Sequence, residues 1–363
     1  MFFGALTGFA AFTLAASGVP TLLIQSIQTF SITIAAGATS GTATISSVDT
    51  TKAYLPYGGY ETSNTAENAS EILPRSELTN ATTVTAYRNT SDAVFVTTVK
   101  GTVVEFVSGA VQSTARGTIT VTGTSATATI SSVTTGNSVT SFLGSTSDAT
   151  DAVHTDTLVR ADLTNATTVT ATQAGPGNDT VTGYTVLEFV SGVLNSSTQT
   201  YSITIADTTS SGTATISAVT LAQTAMVHGG RSRTGVWLPA TLGYAQITDT
   251  TTVTHTRTGT TNVTVLNGTV VEYKTASITG VDRGTNTIAA LATTQDSTIG
   301  AVTAAQTYVS QHGDTTSPAH PVNPAADCAW SLLQSTTAVR SGRNLTDTTD
   351  AKITSWEAIE FAA

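Results

Sequence analysis

The chain has 363 residues, a net charge of −10 and only 10 % charged residues, against roughly 25 % in a typical soluble domain. This acidic balance argues against nucleic acid and anionic membranes as partners, because both attract basic surfaces. The single cysteine excludes an intrachain disulfide. No cysteine–histidine cluster has the spacing of a zinc site, so we expect no metal and no other cofactor.

The first 24 residues, MFFGALTGFAAFTLAASGVPTLLI, carry no charge, and the first charged residue of the chain is Asp49. The segment is long enough to cross a bilayer, but it lacks the basic start of a secretory signal. Three glycines and Pro20 also weaken it as one straight helix. We interpret it as an attachment segment that packs against a neighbouring subunit or a larger assembly, with a membrane anchor as the alternative.

The nonapeptide LTNATTVTA occurs twice, at residues 78–86 and 163–171, and longer motifs around it recur as well. Each of the motifs GTVVEF, YTVLEF, GTVVEY and WEAIEF contains a glutamate, and these residues are Glu105, Glu188, Glu272 and Glu360. They lie 83, 84 and 88 residues apart. This near-constant period predicts four tandem repeats of roughly 85 residues, at 25–110, 111–194, 195–276 and 277–363, of which the last has diverged most.

Within one repeat, apolar and polar residues alternate, as in FSITI and GTATISSV, which is the pattern of half-buried strands. Glycine, asparagine, aspartate and serine separate these runs and are typical of turns. About 80 threonines add strong β propensity. We therefore predict an all-β protein of four small β-sandwich-like repeats. Each unit is near the lower size limit for its own core, so we expect help from neighbouring repeats or other protomers.

Each repeat also carries a variable insert, at residues 49–77, 134–162, 220–246 and 303–332. A constant framework with divergent loops is a common way to present contacts. The inserts hold most of the unusual side chains, and we expect these to lie in exposed loops. The candidate interaction residues are Tyr54, Tyr57, Tyr60, His228, Arg231, Arg233, Trp237, His312, His320 and Trp330.

The recurrent glutamate is the only regularly placed acid. A glycosidase needs two carboxylates facing each other across one bond, whereas here one acid recurs once per repeat. We therefore interpret it as a strand residue that bonds a turn or a neighbouring side chain. Aromatic residues in the inserts could stack on sugars, but packing within their own loops is the preferred interpretation.

Other candidate chemistry is equally weak. The segment HGGRSR, at 228–233, matches no phosphate-binding motif. His312, Asp314 and His320 could hold a metal, but three scattered ligands in a proline-rich loop are a weak signal. Cys328, beside Ala329 and Trp330, is typical of a small buried residue. We predict that the chain is not an enzyme.

The blocks SITIAAGATSGTATISSVDT, LTNATTVTAYR and GTVVEFVSG resemble the threonine-rich, low-charge β repeats of structural proteins in tailed-bacteriophage particles. Such proteins include tail fibres and their adaptors, head fibres and capsid decoration proteins. The resemblance covers nearly all of residues 26–361 and rests on style and repeat pattern, without a diagnostic motif. It implies a virion component that docks by its N-terminus and exposes variable loops.

The expected partners are other copies of the chain and other virion proteins (capsid, portal or tail), with a host surface glycan as a further candidate. Nucleic acid and membrane are not expected partners. The expected location is the virion, with the cell surface as the alternative. A prokaryotic adhesin or filament subunit is the second hypothesis for function. A carbohydrate-binding module or enzyme is the third.

Overall fold

The computed structural model describes residues 20, 22–65, 69–90, 94–149, 157–235, 242–316, 324–345 and 350–363. Within these residues the protein is all-β, as the sequence predicts. The described helical elements are α1 (Ala69–Ile72), α2 (Pro324–Asp327) and four short 3₁₀ turns, at Thr135–Asn137, Leu221–Gln223, Thr275–Ser277 and Ala304–Gln306.

The first two repeats contain β1 to β13. The strands of repeat 1 are β1 (Ile24–Ile34), β2 (Ser40–Thr44), β3 (Ala53–Tyr54), β4 (Tyr60–Thr62), β5 (Arg75–Asn80), β6 (Thr83–Tyr87) and β7 (Thr97–Phe106). Those of repeat 2 are β8 (Val111–Val121), β9 (Ser125–Thr129), β10 (Ser138–Ser147), β11 (Arg160–Asn165), β12 (Thr168–Thr172) and β13 (Thr180–Phe189).

The last two repeats contain six strands each. Those of repeat 3 are β14 (Gln199–Ile205), β15 (Ser211–Thr215), β16 (Thr224–Arg233), β17 (Gly243–Asp249), β18 (Thr252–Thr256) and β19 (Thr264–Glu272). Those of repeat 4 are β20 (Ile278–Ile288), β21 (Thr294–Thr298), β22 (Thr307–Thr316), β23 (Trp330–Ser335), β24 (Ala338–Gly342) and β25 (Lys352–Phe361). In order, each repeat has an opening strand, a short strand, a middle strand, a hairpin and a closing strand. In repeat 1 the middle strand is divided into β3 and β4.

The repeated nonapeptide forms the hairpin. Leu78 and Val84 point into the core, and the tight turn between the two strands is stabilised by an asparagine. Asn80 Oδ1 accepts a hydrogen bond from the backbone N–H of Thr82 at 2.9 Å, and Asn165 does the same for Thr167 at 2.9 Å. This side-chain bond replaces a backbone partner in the turn. The recurrence of LTNATTVTA is therefore the recurrence of one hairpin.

The sheets are shared between neighbouring repeats, so the prediction of four β-sandwich repeats is wrong. The hairpin and short strand of each of the first three repeats extend the sheet built from the opening, closing and middle strands of the next repeat. The resulting six-stranded sheets run β2-β6-β5-β10-β13-β8, β9-β12-β11-β16-β19-β14 and β15-β18-β17-β22-β25-β20. A unit this small covers its own strand edges poorly, and pairing with the next repeat covers them.

The remaining strands close the ring. Strands β1, β7, β3 and β4 form one sheet of repeat 1, and β21, β24 and β23 form the other sheet of repeat 4. A β-bridge between Gly59 and Trp330 joins these two sheets. The five small sheets are thus arranged like the blades of a β-propeller, and the last repeat contacts the first as each earlier repeat contacts its successor.

A glycine in each middle strand makes the contact between repeats possible. Gly59, Gly144, Gly230 and Gly313 have φ angles between +90° and +104°, a conformation that disfavours other residues. At each of them the first residues of the preceding hairpin approach so closely that a Cβ would lie 2.3 to 2.5 Å from a backbone carbonyl oxygen. We call these four positions the joint glycines.

The closing strands end in a shared aromatic cluster, which we call the hub: Phe106, Phe189, Tyr273 and Phe361. Around this ring the neighbouring centroids lie 5.3, 5.8, 5.2 and 6.1 Å apart, and all four pairs meet edge to face. Edge-to-face pairs contribute about 0.5–1.5 kcal/mol each beyond their burial. Each repeat therefore supplies one aromatic ring to a core that no single repeat could form.

At the other end of each repeat, a buried side chain caps the turn between the opening and short strands. Arg88 Nε donates to the carbonyl of Ala38 at 2.8 Å, and its Nη2 donates to that of Ala35 at 2.9 Å. The equivalent residues are Gln173, Arg257 and Arg343. This position was not predicted from sequence, although its spacing of 85, 84 and 86 residues has the period of the repeat.

Candidate functional site

The recurrent glutamates hold the insert to the framework, as the sequence analysis predicts. Glu105 accepts hydrogen bonds from Ser26 Oγ at 2.8 Å and from the N–H of Asp49 at 2.6 Å. The other repeats repeat this contact: Glu188 bonds the N–H of Thr134, Glu272 that of Thr220 and Glu360 that of Thr303. Each glutamate thus fixes the first turn of its insert.

The middle strands bring the chemistry-bearing side chains together around the centre of the ring. Two residues before each joint glycine lie Tyr57, Phe142, His228 and Gln311, which we call the axial cluster. The ring centroids of Tyr57 and His228 are 5.2 Å apart, those of Tyr57 and Phe142 are 5.8 Å apart, and those of Phe142 and His228 are 5.8 Å apart. The backbone N–H of Gln311 donates to the carbonyl of Tyr57 at 2.9 Å.

A buried ion group adjoins the axial cluster. Arg231 Nη1 lies 2.6 Å from Asp314 Oδ1, and Lys352 Nζ lies 2.7 Å from Asp314 Oδ2. Burial alone would raise the pKa of Asp314, but the charges of Lys352 and Arg231 outweigh it and lower that pKa. Asp314 is therefore ionised at neutral pH and balances one of the two cations it contacts.

A second buried carboxylate, Glu357, lies on the closing strand of repeat 4. It accepts a hydrogen bond from the N–H of Met226 at 2.7 Å and lies 3.1 Å from Arg283 Nε and 3.4 Å from His312 Nε2. Burial would raise the pKa of Glu357, but the contact with His312 and the charge of Arg283 lower it. Because Met226 and Glu357 belong to different repeats, this contact also joins repeats 3 and 4.

The axial cluster and the ion group border a small cavity of about 30 Å³, lined by Tyr57, Tyr60, Phe142, His228 and Arg231 among others. Small-molecule sites usually measure roughly 300–1,000 Å³, whereas this space holds only a water molecule or two. Burial keeps the pKa of His228 well below its usual value, so this imidazole is neutral at physiological pH. The arrangement can hold the four repeats together through rings and ion pairs.

Cys328 lies beside this cluster and carries no activated thiol. Burial raises its pKa to about 12, so the thiol stays protonated at neutral pH. Its side chain belongs to the hydrophobic core of the first repeat. This agrees with the prediction of a small buried residue.

The inserts do not lie in exposed loops where the structure describes them. Six predicted interaction residues are less than 9 % exposed: Tyr54, Tyr60, His228, Arg233, His312 and Trp330. The reason is that each insert contains the middle strand, which the hairpin of the preceding repeat and the closing strand of its own repeat cover on both sides. Trp237 and His320 lie outside the described residues.

The predicted interaction residues that the structure describes lie in three places. Tyr54 packs at the hub, where its hydroxyl contacts that of Tyr308 at 2.7 Å. Tyr57, Tyr60, His228, Arg231 and His312 lie at the axial cluster and its ion group, and Arg233 follows on the same strand as Arg231. Trp330 lies at the joint between repeats 4 and 1.

The joint that closes the ring contains a lysine, a tryptophan and a glutamate in mutual contact. The Lys100 ammonium lies 3.6 Å from the ring centroid of Trp330. Trp330 Nε1 donates to Glu61 Oε2 at 2.8 Å, and Lys100 Nζ lies 3.2 Å from Glu61 Oε1. Asn344 Nδ2 also donates to the carbonyl of Thr62 at 2.9 Å. These residues connect the first and last repeats by side-chain contacts as well as by the β-bridge.

Across the part of the chain that the structure describes, no three histidine, cysteine, aspartate or glutamate side chains are grouped as metal ligands. Within the same residues no helix has the length and apolar character needed to cross a bilayer. No protein family and no curated protein matches this chain.

Proposed function

We propose that the chain is a non-enzymatic structural protein of a bacteriophage particle, as a tail appendage or a head-decoration component. This proposal rests on the structural role of the residues that recur in every repeat. The glutamates fix turns, the closing-strand aromatics form the hub, and the joint glycines connect the repeats. The chemistry that recurs in every repeat serves the assembly of the ring itself.

The position at which the described chain starts supports attachment by the N-terminus. Leu23 is fully buried among the hub residues, and its carbonyl accepts a hydrogen bond from the N–H of Val107 at 2.8 Å. The described part of the chain therefore starts beside the central hub. An attachment segment at this position connects to all four repeats through a common core.

The test uses particles purified from the culture that produces the protein. We expect an antibody against the chain to label intact particles in density-gradient fractions. A variant lacking residues 1–19 should melt as the full-length chain does and should be missing from those particles, because the attachment segment is gone. Full-length protein supplied in the same way is the control.

Two results would contradict the proposal. Recovery of the chain in the cell-envelope fraction, and not in particles, would support the adhesin or filament hypothesis. Saturable binding of an oligosaccharide by the folded full-length protein, with hydrolysis or without, would support the carbohydrate hypothesis.

A further inference from the structure

Two joints between repeats contain an arginine from the opening strand of the later repeat. Arg116 Nη2 donates to the carbonyl of Ala53 at 2.7 Å. Arg283 occupies the equivalent position two repeats later, and its Nη2 donates to the carbonyls of Leu221 at 3.1 Å and Thr224 at 2.6 Å. In both joints a guanidinium therefore reaches backbone carbonyls at the start of the preceding repeat's middle strand.

The joint between repeats 2 and 3 has a threonine, Thr200, at this position. An open groove with a volume of about 490 Å³ lies there, and no charged or aromatic side chain lines it. Thr135 and Ser138, which line the groove, are the equivalents of Leu221 and Thr224. The groove thus presents the same two backbone positions that Arg283 contacts, without the arginine.

We propose that this groove binds the guanidinium group of an arginine side chain from another protein. Threonine, serine and asparagine residues line the groove, and Ser138 occupies the position whose backbone carbonyl accepts a guanidinium in the two other joints. A planar guanidinium with five N–H donors suits several acceptors at once, whereas an ammonium acts as a compact point charge. The carbonyl of Thr135 already accepts Thr198 Oγ1 at 3.0 Å and the backbone N–H of Ser138, so we expect the carbonyl of Ser138 to be the main acceptor.

We expect the arginine to come from a different protein. All ten arginines of the chain lie among the described residues, and each already donates within the chain. The net charge of −10 also favours a cationic partner. The joint between repeats 4 and 1 carries Thr29 at the equivalent position, and there β1 lies against the turn Ala304–Gln306. This inference holds whether or not the protein belongs to a phage particle.

The test titrates full-length, isotope-labelled protein with Nα-acetyl-arginine amide and follows the backbone amide signals by NMR. We expect saturable shifts at Gly136, Ser138 and Thr200, and binding at least tenfold weaker for Nα-acetyl-lysine amide. The variant T200R should fill the groove with its own guanidinium and lose these shifts. The matched variant T204R places the same charge on the exposed face of the same strand, outside the groove, and should keep them.

Equal affinity for the two probes, shifts that lie elsewhere, or unchanged binding by T200R would each overturn the inference. If T200R does not fold, the selectivity of the wild-type protein between the two probes decides the question alone.

Discussion

Replacing the joint glycine Gly144 by alanine tests whether the repeats depend on one another. Gly144 has a φ of +90°, and a Cβ there would lie 2.3 Å from the carbonyl oxygen of Pro74 and 2.9 Å from Arg75 Cα. Gly37 has a φ of +76° with no atom within 4 Å of the same position, so it is the matched control. Both variants place alanine in left-handed backbone, which costs about 1–2 kcal/mol.

The joint adds a second cost in G144A alone. The added methyl group has to push back the backbone of a paired strand by roughly the 1 Å that separates 2.3 Å from ordinary contact. This displacement weakens the Gly144–Arg75 pairing and the bond from Thr182 Oγ1 to the carbonyl of Gly144. Each hydrogen bond contributes about 0.5–1.5 kcal/mol, so we expect a total loss of about 2–5 kcal/mol.

Urea unfolding, followed by circular dichroism and by tryptophan fluorescence, measures the free energy of unfolding of both variants. We expect the free energy of unfolding of G144A to fall about 1–3 kcal/mol further than that of G37A. We also expect one transition by both probes, because the sheets continue from repeat to repeat. Equal losses in the two variants would show that the joint glycines serve only local backbone conformation.

Three further changes address the ion group, the turn cap and the closing joint. D314N should lower the free energy of unfolding by about 3–5 kcal/mol, because it leaves the buried Lys352 without a counter-charge. Since the folded-state pKa of Asp314 is lowered, the stability advantage of the wild type is complete above the unfolded carboxyl pKa of about 3.9 and disappears as the pH falls through the folded-state pKa. Urea unfolding at a series of pH values measures this dependence. R257M should cost at least 1 kcal/mol more than R257Q, since glutamine occupies the equivalent position at Gln173 and can still donate to the turn; thermal melts compare the two. W330A should cost about 3–5 kcal/mol and should expose the amides of repeats 1 and 4 to hydrogen exchange before those of repeats 2 and 3.

The strand content and the repeat period could be predicted from sequence, but the pairing of the sheets could not. Alternation in FSITI or GTATISSV shows which face of a strand is buried, and it does not show which strand lies beside it. A hairpin whose edge pairs with the next repeat has the same alternation as one that pairs within its own repeat. The joint glycines were the sequence signal for this contact between repeats, because they recur at a spacing of 85, 86 and 83 residues.

The middle strands were not predicted from sequence for a related reason. Strand β10 is buried at every position, and so are β22 and nearly all of β16, so the polar–apolar alternation of a half-buried strand is absent there. These strands contain many polar residues and therefore resemble loops in sequence, although the polar side chains are buried. Divergence among the four inserts then suggested exposed loops, although the inserts supply the most buried strands of the protein.

The geometry of a closed ring explains why these inserts diverge while the hairpins do not. Equivalent positions of four repeats meet near the centre, so identical charged residues there would place like charges side by side in a low-dielectric interior. The residue after the joint glycine is Tyr60, Ser145, Arg231 or Asp314, and the last two form an ion pair across their joint. The nonapeptide LTNATTVTA lies in a hairpin away from the centre, where its copies do not meet and identity carries no such penalty. The buried charged positions of the inserts therefore have to differ between repeats that meet near the centre.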